Sequence, residues 1–477
     1  MAAPALAPTP APRGGFRFGT YKREIGAVAG ILLALGVMSL HFDGLSVAGH
    51  RALAISLFGV VWWAMGVVQP GYTSLLMLVG WVVLKVAPAD VVFSLWTTPL
   101  IYLVVGGYLI ATAVQDSGLG KRISYMFILK FVNSFSSIII SSYVLGFLLS
   151  FLIPHPWPRS FLIMSVMAMI IKSANLPKRD AAIIGLAVFA GSASNSMILL
   201  TGDSVLNMVG ATAGNVSLSW LDWFKYMGVP GIVTTVLTCL LQLKLFKPTA
   251  ELTVDKASIR AELKNLGALT GIEKRTFFWV GLAVILWATD SIHHIHPGWV
   301  AALMGIALSL PRVGNVLKPT SWSAVPAGTL FFLTAASAIG KVGGVTGMNK
   351  WVASVVLPTS VPDNVFLFAA IAVAVTIVIH MVLGSALAVM GIVTPALIVY
   401  ASAAGINPMV ASLLAYTAIS MHFILPFHHM NVLVGVGDTA GGYGDSEVAK
   451  LGIPLTVLVF VVTLLVEIPW WKLTGLL

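Results

Sequence analysis

A chain of 477 residues that is 58% hydrophobic and only 9% charged, with a mean hydropathy of +0.96, is excluded from the water-soluble globular class, because one core cannot bury that much apolar side chain. The formal charge of +10 does not mark a nucleic-acid binder: the basic residues gather in a few connections, as lysine and arginine held on the cytoplasmic side of a membrane do. The single cysteine, Cys239, excludes an intrachain disulfide and a cysteine metal cluster, and the length suits about ten to twelve spans of roughly 20 residues each.

Residues 1–24, rich in alanine and proline and carrying Arg13, Arg17, Lys22 and Arg23, read as a disordered cytoplasmic tail without signal-peptide order. Apolar segments at 25–41, 52–69, 72–86 and 100–115 predict four spans, which return the chain inside at Lys121-Arg122. For Lys178-Arg179 to lie inside as well, the chain from about 134 to 171 must enter and return on one side. The proline-rich turn Pro154-His155-Pro156-Trp157-Pro158 predicts a re-entrant hairpin there, although two ordinary spans give the same parity. Crossings at 181–201 and 226–246 close a first repeat, 25–246, and the basic stretch 247–276 is a cytoplasmic linker. A second repeat, 277–477, follows with spans at 277–288, 299–310 and 329–339, a hairpin at about 365–400, and crossings at 409–425 and 451–470 that leave the C-terminus outside.

The halves share their interruptions. Val144-Leu145-Gly146 opens an apolar stretch broken at Pro154, and Val382-Leu383-Gly384 opens another broken near Ser385 and Pro395, at an offset of 238 residues. Asn195 precedes Gly202-Asp203, and Asn431 precedes Gly437-Asp438, at an offset of 235. Matched interruptions point to a substrate site between broken helices, and an odd number of crossings between the hairpins inverts the second half. The expected fold is an all-α polytopic membrane protein of two inverted-topology repeats, each with a re-entrant helical hairpin and a broken transmembrane helix.

A broken helix offers unpaired N–H groups at one half-helix end and unpaired carbonyls at the other, sites for an anion and a cation side by side. Ser192, Ser194, Asn195 and Ser196 add hydroxyl and amide groups at the first break; alternatively they only let helices approach closely. His155, His428 and His429 fall at predicted breaks, where imidazole can donate to an anion, take up a proton, or satisfy a freed carbonyl. Asp203 and Asp438 are matched acids that would complete a cation site, carry protons, or cap the helix beyond each break. Lys130, Lys172 and Glu467 near span ends read as snorkelling side chains, Lys341 as a buried or surface cation, and His293, His294 and His296 as a solvated outer loop. No phosphate-binding Gly-x-x-x-x-Gly-Lys-Ser/Thr, His-Glu-x-x-His or Gly-x-Ser-x-Gly pattern supports ATP-driven transport or a common membrane hydrolase, so a secondary transporter is expected rather than an enzyme.

The segment Gln115-Asp116-Ser117-Gly118-Leu119-Gly120-Lys121-Arg122-Ile123, its weaker partner at 341–351, and two hairpins each followed by a broken helix resemble the divalent anion:sodium symporter family over nearly the whole chain. The resemblance implies an elevator-type carrier of dicarboxylates, tricarboxylates or sulfate in a bacterial inner membrane, working as a homodimer, with sodium as the candidate coupling ion and no other cofactor. It also implies Ser-Asn-Thr at each hairpin tip; here the tips read Pro154-His155-Pro156 and Gly384-Ser385-Ala386, and the Pro-Pro-Asn of the second broken helix reads His428-His429-Met430-Asn431. The expected substrate set is His155, Ser194, Asn195, Ser385, His428, His429 and Asn431, and the expected coupling-ion set is Ser192, Ser196, Asp203 and Asp438. Coupling to sodium, coupling to protons and exchange all remain open, and a sodium/proton antiporter or other ion permease using Asp203 and Asp438 is the alternative function.

Overall fold

In hydrocarbon each segment must satisfy its own backbone N–H and C=O groups, which favours helices. The computed structural model describes residues 21–213, 216–249, 256–356, 364–383, 386–425, 428–429 and 441–477. Among them the strands are limited to one antiparallel pair, β1 (Thr212–Ala213) and β2 (Val216–Ser217).

The chain runs through α1 (Lys22–Ser39), α2 (Val47–Met65), α3 (Pro70–Val83), the short α4 (Ala89–Val92), α5 (Pro99–Ser117) and α6 (Leu119–Phe131). A helical hairpin follows, α7 (Phe135–Ser150) and α8 (Pro156–Ser173), then α9 (Lys178–Asn195), a 3-10 turn at Leu200–Asp203, α10 (Leu206–Gly210) and the long α11 (Trp220–Leu245). Beyond the linker helix α12 (Lys256–Asn265) come α13 (Gly271–Ala288), α14 (Asp290–His293), α15 (Pro297–Ser309), α16 (Ala327–Thr346) and α17 (Met348–Val356). A second hairpin of α18 (Val365–Leu383) and α19 (Ala386–Ala403) leads to α20 (Pro408–Ser420), and α21 (Asp445–Val462) continues through a π turn at Thr463–Glu467 into α22 (Ile468–Thr474).

Among the described residues five helical stretches are long and apolar enough to cross a membrane: α2, α5, α11, α16 and Asp445–Thr474. Large apolar side chains such as Leu32, Tyr72, Phe277 and Leu473 face outward, as lipid contact requires. By contrast α7, at 16 residues, rises about 24 Å, short of a ~30 Å hydrocarbon core.

The order α5, α6, hairpin α7–α8, α9 recurs as α16, α17, hairpin α18–α19, α20, with the long helices α11 and α21 following among the described residues. Gly118 (φ 79°) ends α5 and Gly347 (φ 80°) ends α16, both left-handed caps that glycine adopts without strain. Asn175 (φ 46°) and Gly405 (φ 68°) turn the chain after α8 and α19, and Pro230 and Pro454 lie inside α11 and α21. Close backbone packing joins the remaining helices: a Cβ at Gly106 would strike the Ala301 carbonyl, and one at Gly298 the Pro99 carbonyl, so α5 and α15 touch along small residues.

Four expectations need correction or refinement. Pro395 does not break its segment, because α19 runs through it. Glu467 does not snorkel: it is fully buried, its carboxylate accepting from the Thr417 hydroxyl at 2.6 Å. Lys130 and Lys172 are exposed at helix ends as expected, and Lys341 is exposed. His293 and His296 are half-buried rather than solvated; His293 Nε2 bonds the Leu286 carbonyl at 2.7 Å, and His296 Nδ1 accepts from the Gly298 N–H at 3.1 Å.

One charged clamp fastens the linker. Arg122 on α6 donates to both carboxylate oxygens of Glu273, at 2.6 and 3.1 Å, and to the carbonyls of Leu266 and Gly267. Glu273 also closes a capping box with Thr270 at the start of α13. Removing one partner of so buried a pair strands the other charge. Glu273→Gln is expected to destabilise the detergent-purified protein by about 3–5 kcal/mol in thermal unfolding, and an unchanged melting temperature would show that the clamp is dispensable.

Candidate functional site

Helix α9 ends inside the protein because its last turn is Ser192-Ala193-Ser194-Asn195, small and polar residues whose side chains compete for backbone partners. Ser196 Oγ donates to the Ser192 carbonyl at 2.8 Å and Ser194 Oγ to the Gly191 carbonyl at 3.3 Å. The chain then folds back on the helix end through Gly202, where a Cβ would lie 2.6 Å from the Ser196 carbonyl oxygen. Helix α7 approaches equally closely, since a Cβ on Gly146 would meet Asn195 Nδ2, which donates to the Tyr143 carbonyl at 2.6 Å.

The break frees carbonyls that other elements must satisfy. Asn207 on α10 donates from Nδ2 to the carbonyls of Ser196 (2.7 Å) and Leu199 (2.9 Å), and Trp223 Nε1 on α11 donates to Met197 at 3.0 Å. A charged share falls to Arg159, fully buried in the first turn of α8. Its Nη1 donates to the carbonyls of Ile153 and Gly202, each at 3.1 Å, and its Nη2 to the Ser192 carbonyl (2.8 Å) and Ser196 Oγ (2.9 Å). A guanidinium thus lies against the negative end of α9, where the helix dipole and free carbonyls favour a cation.

The first hairpin tip is tied to this break: the Ser204 N–H donates to the Pro154 carbonyl at 3.0 Å. His155 caps α8, its Nδ1 accepting from the Trp157 N–H at 3.2 Å while its ring packs 5.2 Å from Tyr108. Asp203 caps α10, with Oδ1 accepting from the N–H groups of Val205 (3.0 Å) and Leu206 (3.1 Å). Its charge also interacts with Arg159, His155 and His429.

At the second break α20 stops at Ser420, and three imidazoles stack with centroids 4.9 to 5.1 Å apart: His380 of α18, His422 and His428. His380 Nε2 bonds the His428 carbonyl at 3.2 Å, so this nitrogen carries the hydrogen. In the neutral pair His380 Nδ1 is therefore the acceptor of its 3.1 Å contact with His422 Nδ1, which donates. His428 Nδ1 accepts from the Ile424 N–H at 3.2 Å. His429 lies 6.0 Å from the Phe189 ring of α9, and Tyr416 of α20 donates its hydroxyl to Asn207 Oδ1 at 2.7 Å, so the two breaks face each other.

Of the residues expected from sequence, His155, Ser192, Ser194, Asn195, Ser196, Asp203, His428 and His429 converge here; Ser385, Asn431 and Asp438 lie outside the described residues. Sequence reasoning missed Arg159, Asn207, His380 and His422. An arginine directly after a proline-rich turn in an apolar hairpin was the available signal for the first. Arg159 Nε, Ser192 Oγ, Asn195 Oδ1, Ser204 Oγ, His422 Nε2 and His429 Nδ1 are buried without a hydrogen-bond partner among the described residues, the polar capacity that a small ligand would need. No group of three His, Cys, Asp or Glu side chains among them is arranged to hold a metal ion. A cavity of about 370 Å³ opens beside α10, lined mostly by apolar residues such as Val104 of α5, Val205 and Met208 at α10, Leu333 of α16 and Met390 of α19, with Lys341 and Asn349 also in its wall.

A family model described as the sodium:sulfate symporter transmembrane region matches residues 24–477. Dicarboxylate transporter 2.1, chloroplastic, of Arabidopsis thaliana is 26% identical over 83% of this chain and 72% of its own length. The sodium-dependent dicarboxylate transporter SdcS of Staphylococcus saprophyticus is 22% identical over 93% and 90%. The crystal structure of the YdaH transporter of Alcanivorax borkumensis superposes with a TM-score of 0.50 at 15% identity over 78% of this chain and 84% of that one, a likeness of fold.

Asn207 bonds three carbonyls of the break, those of Ser196, Leu199 and Leu200, and one hydroxyl from the other half. Asn207→Ala should lower stability by at least about 1–3 kcal/mol, the value for one orphaned buried group, and Asn207→Asp, which keeps only the acceptor for Tyr416, should not restore it. Thermal unfolding of the two purified variants checks this; a wild-type melting curve for either would mean that the break holds without the amide.

Proposed function

The chain belongs to the sodium:sulfate symporter family, and we propose that it is a secondary carrier of small dianions, dicarboxylates foremost, that works by exchange and takes no sodium at its first helix break. The observation that carries this reading is the Arg159 guanidinium on the Ile153, Ser192 and Gly202 carbonyls and Ser196 Oγ. Those four oxygens form the kind of ligand set that a half-helix C-terminus presents to a sodium ion. A cation joined to the chain cannot be released on one side and rebound on the other, so a sodium gradient has no purchase at this half. The driving force then lies in the gradients of the anions themselves. The relatives named for dicarboxylates support the substrate class.

In this reading the substrate binds between the first hairpin tip and the two breaks. Ser204 Oγ and Ser192 Oγ supply donors for one carboxylate, and the imidazoles of His429 and His155 supply them toward the other. Asn195 holds α7 against α9, and Ser194 bonds its own helix, so both shape the site. Asp203 keeps α10 in place and balances part of the Arg159 charge. Inverted halves would give two nearly equivalent end states, one open to each side, with the N-terminus cytoplasmic and the C-terminus outside in a bacterial inner membrane. A homodimer would hold the scaffold still while the module carrying both breaks shifts.

Proteoliposomes test the reading. Uptake of radiolabelled succinate or malate should saturate, require unlabelled dicarboxylate inside, and persist when potassium replaces sodium on both sides. Arg159→Gln should reduce exchange by about 10- to 100-fold, as loss of charged hydrogen bonds worth about 1.5–3 kcal/mol gives. Uptake into empty vesicles driven by sodium would overturn the exchange reading. If sodium drives proton efflux while no anion moves, the antiporter reading built on Asp203 replaces it.

A further inference from the structure

The last helix carries a buried acid that the exchange reading does not use. Gln242 stands 12 residues after Pro230 in α11, and Glu467 stands 13 residues after Pro454 in the helix that occupies the same place in the second half. The π turn at Thr463–Glu467 closes around one more residue than an α turn, which takes up the difference. Both side chains are fully buried, and both reach the helix that precedes a break.

Their chemistry differs in one proton. Gln242 uses both ends of its amide: Oε1 accepts from the Tyr143 hydroxyl of α7 at 2.7 Å, and Nε2 donates to the Ile183 carbonyl of α9 at 3.0 Å. Glu467 Oε1 accepts from the Thr417 hydroxyl of α20 at 2.6 Å, while Oε2 is buried facing the Thr463 hydroxyl of its own π turn and is reached by no partner from another helix among the described residues. An ionised carboxyl only accepts; a protonated one has a donor and acceptors, the inventory of an amide. We infer that Glu467 is a proton-binding site: with a proton on Oε2 it ties the second half together as Gln242 ties the first, and without it a bare charge is left among α11, α18 and α20.

Among the described residues the surroundings offer that charge no counter-ion. On the helices packed against the π turn, Lys225, Lys450 and Lys472 lie over the rings of Tyr226, Phe246 and Phe366. Asp222, Asp445 and Glu447 sit in the first turns of α11 and α21. Cys239 of α11 is a buried thiol, His380 of α18 is bonded to His422, and Tyr416 of α20 gives its hydroxyl to Asn207. Proton loss therefore buries an unpaired carboxylate, which costs several kcal/mol. Helix α18 is the first arm of the second hairpin and α20 bears the second break, so exchange proceeds with the proton bound and slows when it leaves.

Two measurements on the full-length protein test this. The first, thermal unfolding in detergent between about pH 6 and about pH 9, needs no substrate. Wild type should lose stability as pH rises, because unfolding releases the proton that the folded carboxyl holds, whereas Glu467→Gln should be at least as stable as wild type at the acidic end and stay level. The second is dicarboxylate exchange over the same range, and it rests on the carrier reading above. Wild type should fall by at least about tenfold, as one titrating group gives over a pH unit, and Glu467→Gln should change by less than about twofold. Parallel profiles for the two proteins, or a variant less stable than wild type at the acidic end, overturn the inference. If no dicarboxylate moves in wild type, the carrier reading fails and the stability profile still decides the role of Glu467. Should Glu467→Gln not fold, the infrared carbonyl band of a protonated carboxyl decides: it should shift in Thr417→Val and disappear in alkaline buffer, and a band indifferent to both overturns the inference.

Discussion

A helix that stops inside a membrane protein leaves carbonyls that water cannot reach, and the rest of this structure is arranged around satisfying them at one point. Arg159 takes the Ser192 carbonyl together with those of the hairpin turn and of Gly202. Asn207 and Trp223 take the carbonyls of residues 196, 197 and 199. Through these bonds the hairpin α7–α8, the short α10 and the long α11 are fastened to the end of α9. Each unmade bond would leave a desolvated group worth about 1–3 kcal/mol, so the break is stable only as a whole.

The same groups define what the site can do. A guanidinium held by carbonyls supplies permanent positive charge, Asp203 supplies a negative one committed to capping α10, and the imidazoles of His155 and His429 sit between the halves. A dianion entering such a place finds hydroxyl and imidazole donors and a fixed cation behind them. A monovalent metal ion finds the Ser192 and Gly202 carbonyls and Ser196 Oγ of the first break already taken by the guanidinium. In the proposed reading the Arg159 guanidinium takes the place that a soluble cation would otherwise hold.

The two halves are built alike but not equipped alike. Glycines at 118 and 347 turn the chain at matching places, and prolines recur inside α11 and α21. Where the first half has an amide at Gln242 the second has an acid at Glu467, and where the first break holds an arginine the second is lined by His380, His422 and His428. The matching turns and prolines thus frame two breaks whose side chains differ, a fixed guanidinium beside Asp203 and His155 at the first and three imidazoles at the second.

Much of this was legible in the sequence. Apolar composition dictated the membrane class, the grouping of basic residues suggested the order of crossings, and the proline-rich turn at 154–158 located the first hairpin, because these signals are local or compositional. The small polar run 192–196 marked the first break for the same reason: such residues weaken a helix wherever they stand. Arg159 was hidden, because whether an arginine in an apolar segment snorkels or turns inward depends on which carbonyls a distant loop presents. The role of Glu467 was misread on like grounds, since a position near a span end predicts snorkelling until α20 is seen against it. His380 and His422 are 42 residues apart and meet only because α18 packs beside α20. By itself, then, the sequence determined that the chain is a helical membrane protein with interruptions in each half, properties that follow from short-range physics. Only the tertiary structure decided which charges those interruptions hold, because a buried polar group takes its partner from whatever the fold brings within 3 Å.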